Sequence, residues 1–183
     1  MQSDKQSQFI EYYENYKNEL SSYCRALMRD EDNAKDLMSE TILAAFEKLH
    51  TLREPEKFKF YIFGIASRLF RKKLRRQRIL QFTGLEQAKE TGSTEQTDEK
   101  AALNMLYKCI SKLKPTEAEA LVMHEISGFT FAEVAEILNT NVSTIKSQVY
   151  RSREKLEIML QNDRQVLLQS DSNPLIQPKT AIS

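Results

Sequence analysis

The sequence predicts an all-α protein of two small helical domains, an N-terminal helix bundle and a C-terminal helix-turn-helix domain, joined by a flexible linker. Three observations carry this. Glycine and proline are scarce, four of each in 183 residues, which favours helix over sheet. Apolar residues recur at helical spacing through 9–80 and again through 101–160, with no useful stretch of strand alternation. Between these segments, residues 83–100 (TGLEQAKETGSTEQTDEK) hold two of the four glycines and little apolar surface to bury, so they read as a linker. The expected divisions are 9–82, a linker at 83–100, 101–160, and a C-terminal tail at 161–183. From about Gln169 the tail turns polar, carries two prolines, and is expected to be mostly disordered.

In the first domain, Phe9–Met28 shows helical spacing. Asp30 is placed to cap a helix reaching about His50. Its inner face is Ala34, Met38, Thr41, Ile42, Ala45 and Leu49. On the opposite face stand Asp36, Glu40, Leu43 and Glu47, an exposed leucine inside an acidic stripe. These acids have no lysine at the i+4 positions that would relieve their repulsion, so the stripe points to a basic partner surface. After Pro55, Phe58, Ile62, Ile65 and Leu69 form one apolar stripe of the next helix. Phe60, Phe63, Ser67, Phe70 and Leu74 form another, and a helix apolar on two sides must touch neighbours on both. Its end carries Arg68, Arg71, Lys72, Lys73, Arg75, Arg76 and Arg78, seven cations in eleven residues. The helix dipole favours cations there, but so dense a cluster points to a polyanion. The aromatics fit packing within a bundle better than stacking on unpaired bases.

In the second domain, Pro115 suits the first turn of a helix reaching about Ile126, and Gly128 ends it. Thr130 with Glu133 forms a capping-box pattern for Phe131–Leu138. Asn139-Thr140-Asn141 supplies a turn in which asparagine tolerates the left-handed conformation. Ser143 is expected to cap or open the last helix. Ile145, Val149, Ser152 and Leu156 share its inner face. Ser143, Ser147, Tyr150 and Glu154 face outward, flanked by Lys146 and Arg151. Such a face suits a major groove, with Lys146, Ser147 and Tyr150 toward bases and Thr144, Arg151 and Arg153 toward phosphates.

The remaining features exclude other classes. Net charge is only +1 although charged residues make up 29% of the chain, so distribution rather than total charge carries the nucleic-acid signal. Cys24 and Cys109 are far apart in apolar patterns and read as small buried hydrophobes, which fits a reducing cytoplasm. Neither they nor His50 and His124 form a metal set. No cofactor is expected, and no nucleophile–base pair or phosphate-cradling glycine loop suggests an enzyme. The first residues show no signal-peptide pattern, and no apolar run approaches the ~20 residues of a membrane span.

Asp36-Leu37-Met38-Ser39-Glu40-Thr41-Ile42-Leu43 resembles the "DLVQETFL" stretch of bacterial sigma factors. Phe58–Leu69 (FKFYIFGIASRL) resembles the "FRAWLFRIARNL" stretch that follows it, and Gly128–Leu156 resembles their fourth conserved region. Length, order and two-domain plan resemble the extracytoplasmic-function group. The resemblance implies a promoter-specificity subunit in which Asp36, Ser39, Glu40 and Leu43 contact core RNA polymerase. The −10 element would meet Arg68, Arg71, Lys72, Arg75 and Arg76. The −35 element would be read by Ser143, Thr144, Lys146, Ser147, Gln148, Tyr150, Arg151 and Arg153. It further implies regulation by an anti-sigma factor and no catalysis of the chain's own. The chain departs from the pattern at Ser39 (usually Gln), Tyr61 (Trp), Arg68 (Asn), Gln148 (Arg), and Asn139 and Ser143 (Gly). The competing readings are a stand-alone helix-turn-helix regulator with an oligomerisation or effector domain, and an all-α scaffold.

Overall fold

A computed structural model describes residues 2–28, 30–82 and 98–170. Most of the expected linker, 83–97, and the last residues of the expected tail, 171–183, lie outside them. Every regular element among the described residues is helical: α1 (Gln2–Glu14), α2 (Lys17–Leu27), α3 (Glu31–Glu47), α4 (Phe58–Phe82), α5 (Asp98–Ser111), α6 (Pro115–Leu121), α7 (Phe131–Ile137) and α8 (Val142–Ser170). Short 3-10 turns at Leu49–Thr51 and Pro55–Lys57 join α3 to α4, and a π-helical turn at Val122–Ile126 extends α6.

The first domain packs α2, α3 and α4 around one core. Asp30 caps α3, accepting from the Asn33 amide at 2.8 Å. Ala34, Thr41, Ala45 and Leu49 are buried as the periodicity predicts, and Leu37 joins them. The spacing across Phe9–Met28 does not continue as one helix. Tyr16 leaves helical geometry at φ −125°, ψ 1°, while Asn15 Nδ2 donates to the Glu11 carbonyl at 3.1 Å and satisfies the end of α1. The Tyr16 ring stacks against Phe58 with centroids 6.2 Å apart, so a tertiary contact overrides the local pattern. Phe9, Tyr12 and Tyr61 also pack on Phe58, and the Tyr61 hydroxyl donates to the Ala45 carbonyl at 2.7 Å. The aromatics of α4 are thus packing groups: Phe58, Phe63 and Phe70 are all buried.

In the second domain Pro115 opens α6 as expected, and Gly128 ends the π turn at φ +70°. Thr130 and Glu133 form the full capping box: Glu133 N donates to Thr130 Oγ1 at 3.2 Å, and Thr130 N donates to Glu133 Oε2 at 2.8 Å. Thr130→Ala leaves the Glu133 amide at the head of α7 without its side-chain partner. Thermal or urea unfolding should show a loss of about 1 kcal/mol; an unchanged midpoint would count against the cap. Asn139 takes the left-handed turn conformation at φ 50°. Ser143 opens α8, in its first turn, and the cap is Asn141, whose Oδ1 accepts from the Thr144 amide at 2.7 Å and from the Ser143 hydroxyl at 2.7 Å. The expected boundaries also shift at both ends of this domain: α5 begins inside the span assigned to the linker, and α8 continues past 160 to Ser170.

The two domains touch. α2 packs against α5, α6 and the π turn, and α4 packs against α7. Phe63 on α4 meets Phe129 edge-on, with centroids 5.1 Å apart. The second stripe of α4 predicted a neighbour on that side. Part of that neighbour is the second domain.

Candidate nucleic-acid and polymerase interfaces

Helix α8 is two-faced as its sequence requires. Ile145, Val149, Ser152 and Leu156 are buried, and Ser152 Oγ donates to the Gln148 carbonyl at 2.7 Å. Ser143, Lys146, Ser147, Tyr150, Arg151 and Arg153 are exposed, while Thr144 and Gln148 are half-buried. Phe131, at the head of α7, forms a platform beside this face. It stacks on His124 with centroids 3.9 Å apart. Lys146 Nζ lies 5.8 Å from its ring centre, and the Tyr150 ring lies 6.4 Å away. His124 is itself fixed by Nδ1 against the Phe129 carbonyl at 2.7 Å. Phe131, backed by His124, thereby supports the exposed Lys146 and Tyr150 side chains, a contact that the sequence reading missed. Arg153 bonds Glu125 through Nε at 3.0 Å, so this phosphate candidate already has a carboxylate partner.

On α3, Asp36, Ser39, Glu40 and Leu43 are all exposed and together form one face. Leu43 is 59% exposed, the large apolar group of that face. Glu40 is not without a basic partner inside the chain: Lys73 of α4 reaches it at 2.6 Å. The repulsion argument therefore holds less strongly for Glu40 than its helix alone suggests, because a long-range cation supplies part of the compensation.

The basic end of α4 divides. Arg68, Lys72, Arg75, Arg76 and Arg78 are exposed. Arg71 turns instead to the second domain, with Nε 3.0 Å from Glu119 Oε2 and both terminal nitrogens 3.5 Å from the Leu138 carbonyl. Glu119 is 1% exposed. It also accepts from Ser67 Oγ at 2.6 Å and from the Tyr23 hydroxyl at 3.3 Å. Sequence reasoning missed Glu119, since an acid in a helix ordinarily reads as solvated. The signal was its setting: Ala118 and Ala120 flank it, and small neighbours permit close approach on both sides.

Burial pushes the Glu119 carboxyl above the ordinary glutamate range, against the lowering pull of Ser67, Arg71 and Tyr23. The docked arrangement therefore holds the proton more tightly than an undocked one. Docking should strengthen as pH falls toward the ordinary glutamate range and lose this contribution as pH rises through the elevated value. Small-angle scattering across that interval should show compaction on acidification, and Glu119→Gln should remove the trend. A trend unaltered in the variant would assign it to other groups. Burial likewise pushes the Cys24 thiol up to about 12, and both cysteines are buried and unpaired. Among the described residues no group of His, Cys, Asp and Glu is placed to hold a metal ion, and no helix is long and apolar enough to cross a membrane.

Comparison with known proteins decides the family. Residues 12–79 match sigma-70 region 2, and residues 103–156 match sigma-70 region 4. The chain is 30% identical over 145 residues to the ECF RNA polymerase sigma factor EcfG of Rhodopseudomonas palustris (strain TIE-1), covering 79% of this chain and 80% of that protein. The chain belongs to the ECF sigma factor family. It is also 24% identical over 170 residues to the ECF sigma factor SigW of Bacillus subtilis (strain 168), covering 86% and 91% of the two. Its fold is similar to that of the sigma factor RpoE solved in complex with the anti-sigma factor NepR from Bartonella quintana. The TM-score is 0.71 at 22% identity, over 83% of this chain and 98% of that one. As a sigma factor, the chain is a promoter-specificity subunit acting in transcription initiation. The region 2 match takes in the exposed α3 face and the basic end of α4, and the region 4 match takes in Phe131 and the exposed face of α8.

Proposed function

We propose that this sigma factor divides its work among three surfaces. The Asp36, Ser39, Glu40 and Leu43 face of α3 binds core RNA polymerase. The basic end of α4, with Arg68, Arg71, Lys72, Arg75 and Arg76, binds the −10 region. The outer face of α8, with Ser143, Thr144, Lys146, Ser147, Gln148, Tyr150, Arg151 and Arg153, reads the −35 element. The observation that carries this reading is the exposed polar face of α8, set on a buried Ile145–Val149–Ser152–Leu156 stripe within a helix-turn-helix. Phosphate contacts would position that helix, and Lys146, Ser147 and Tyr150 would supply the base discrimination. The sigma factor would work in the cytoplasm, and the polymerase would supply the chemistry. An anti-sigma factor fits as a regulatory partner, in keeping with the Bartonella quintana relative solved with NepR. Linkage explains why modest contacts suffice at each surface: once core polymerase holds the chain, each further contact is intramolecular.

Overproduction in cells followed by mapping of transcript 5′ ends tests the assignment. New ends should share two upstream motifs at a fixed spacing, and the −35 motif should lose influence in a Lys146 variant. Tight operator binding by the chain alone, with no new 5′ ends, would overturn the reading.

A further inference from the structure

Phe131 stands outside the residues assigned to the −35 element, yet Lys146 and Tyr150, both assigned to base reading, approach its ring. Resting on that assignment, we infer that Phe131 is a positioning residue for −35 recognition. With His124 behind it, its ring presets Lys146 and Tyr150 before DNA arrives. It thereby sharpens base preference without itself touching a base.

The geometry builds from the core outward. Phe129 is buried, and its amide donates to the Met123 carbonyl at 3.1 Å across the turn at Gly128. Its own carbonyl lies 2.7 Å from His124 Nδ1. A carbonyl oxygen only accepts, so Nδ1 carries a proton and the bond fixes the orientation of the imidazole. The Phe131 ring lies on that imidazole, with centroids 3.9 Å apart and planes 24° from parallel. The Thr130–Glu133 capping box sets its backbone at the first position of α7. Helix α7 has its anchorage elsewhere: Val134 and Ala135 are buried, whereas Phe131 is half-buried. The ring is therefore held firmly at a place where the core does not require it.

The ring also meets α8. Lys146 and Tyr150 are four positions apart and share one face of that helix. Phe131 reaches both, at 5.8 Å from Nζ to its ring centre and 6.4 Å between ring centres. Tyr150 has a second neighbour in Arg153, whose guanidinium lies 5.7 Å from its ring. Arg153 is in turn held by Glu125 at 3.0 Å, beside His124 in the π turn. A tyrosine that is 56% exposed is thus bracketed by two groups tied to one rigid turn. Rotamer freedom removed in the free protein is not lost again on binding. A side chain held in one direction also cannot re-aim at a different base, which penalises the wrong sequence. Phe131 carries no charge, so the salt dependence of DNA binding stays the same when it is replaced.

The test uses core polymerase, the full chain and a promoter library randomised over the −35 element, built on a start site found by 5′-end mapping. Enrichment of preferred −35 sequences among the transcripts is the readout. Phe131→Leu keeps an apolar group in place and should lower that enrichment about three- to tenfold. Phe131→Tyr keeps the ring and should retain it. In a Lys146→Ala, Tyr150→Ala background, where Ser147 still reads, Phe131→Leu should cause no further loss, because nothing remains for it to position. His124→Leu removes the backing ring and should reproduce the loss, a second route should Phe131→Leu fail to fold by circular dichroism. Unchanged enrichment in the folded Phe131 or His124 variant overturns the inference. So does an equal loss in both backgrounds, which would make Phe131 a direct DNA contact or a prop of the fold. Wild-type chain on core polymerase that enriches no −35 sequence would instead sink the assignment of α8 to that element.

Discussion

Lys146→Glu should abolish −35-dependent initiation while leaving the protein folded. Within the chain, Lys146 approaches the Phe131 ring at 5.8 Å, a contact worth about 0.5–1 kcal/mol at an exposed site. Its loss scarcely touches folding. On DNA the change removes a donor to guanine acceptors, worth about 1–3 kcal/mol, and sets a carboxylate among phosphates. Together these predict roughly a hundredfold fall in initiation at promoters that need their −35 element. Run-off transcription with core polymerase measures it, with thermal unfolding as the control for folding. An equal fall on templates with and without a −35 element would place Lys146 outside base reading.

Leu43→Lys should separate polymerase binding from stability more sharply still. Leu43 is exposed on α3, three residues after Glu40 and four before Glu47. A lysine there sits at i,i+3 and i,i+4 spacing from those acids and adds a few tenths of a kcal/mol to the free helix. Against a basic polymerase surface the same lysine removes an apolar anchor and introduces repulsion. Loss of a central anchor costs about 2 kcal/mol or more, so core affinity should fall at least about thirtyfold while the melting temperature holds or rises. Competition for core polymerase by the labelled wild-type chain reads the affinity. Full competition by Leu43→Lys would remove this face from the polymerase interface.

What could be read from sequence followed from how local the cause was. The Asp30 cap, the Thr130–Glu133 box and the Ile145–Val149–Ser152–Leu156 stripe depend on residues within one or two helical turns, and all three stand in the fold. Of the two roles open to Ser143, cap or first-turn residue, it takes the second: α8 starts at Val142, and Asn141 Oδ1 caps it by accepting from both the Thr144 amide and the Ser143 hydroxyl. The break at Tyr16 and the pairing of Lys73 with Glu40 depend on contacts many residues distant. Glu119 is the extreme case: its partners Ser67 and Tyr23 lie 52 and 96 positions away. The double apolar face of α4 did signal a second neighbour, but not that a charged network would accompany it. The outward faces of α3 and α8 were legible as surfaces because their inner stripes were. The platform under Lys146 and Tyr150 was not, because Phe131 reads simply as the first apolar residue of its helix.

The central claim is that the reading helix, the basic end of α4 and the acidic face of α3 act as one promoter reader that works only on core polymerase. Initiation in a purified system tests it most directly: core polymerase, this chain, and templates in which the −10 and −35 elements are scrambled singly and together. The account predicts discrete starts only when core and chain are both present, weakened by either scramble and lost with both. Starts indifferent to both elements, or tight sequence-specific duplex binding by the chain alone with no starts at all, would contradict it.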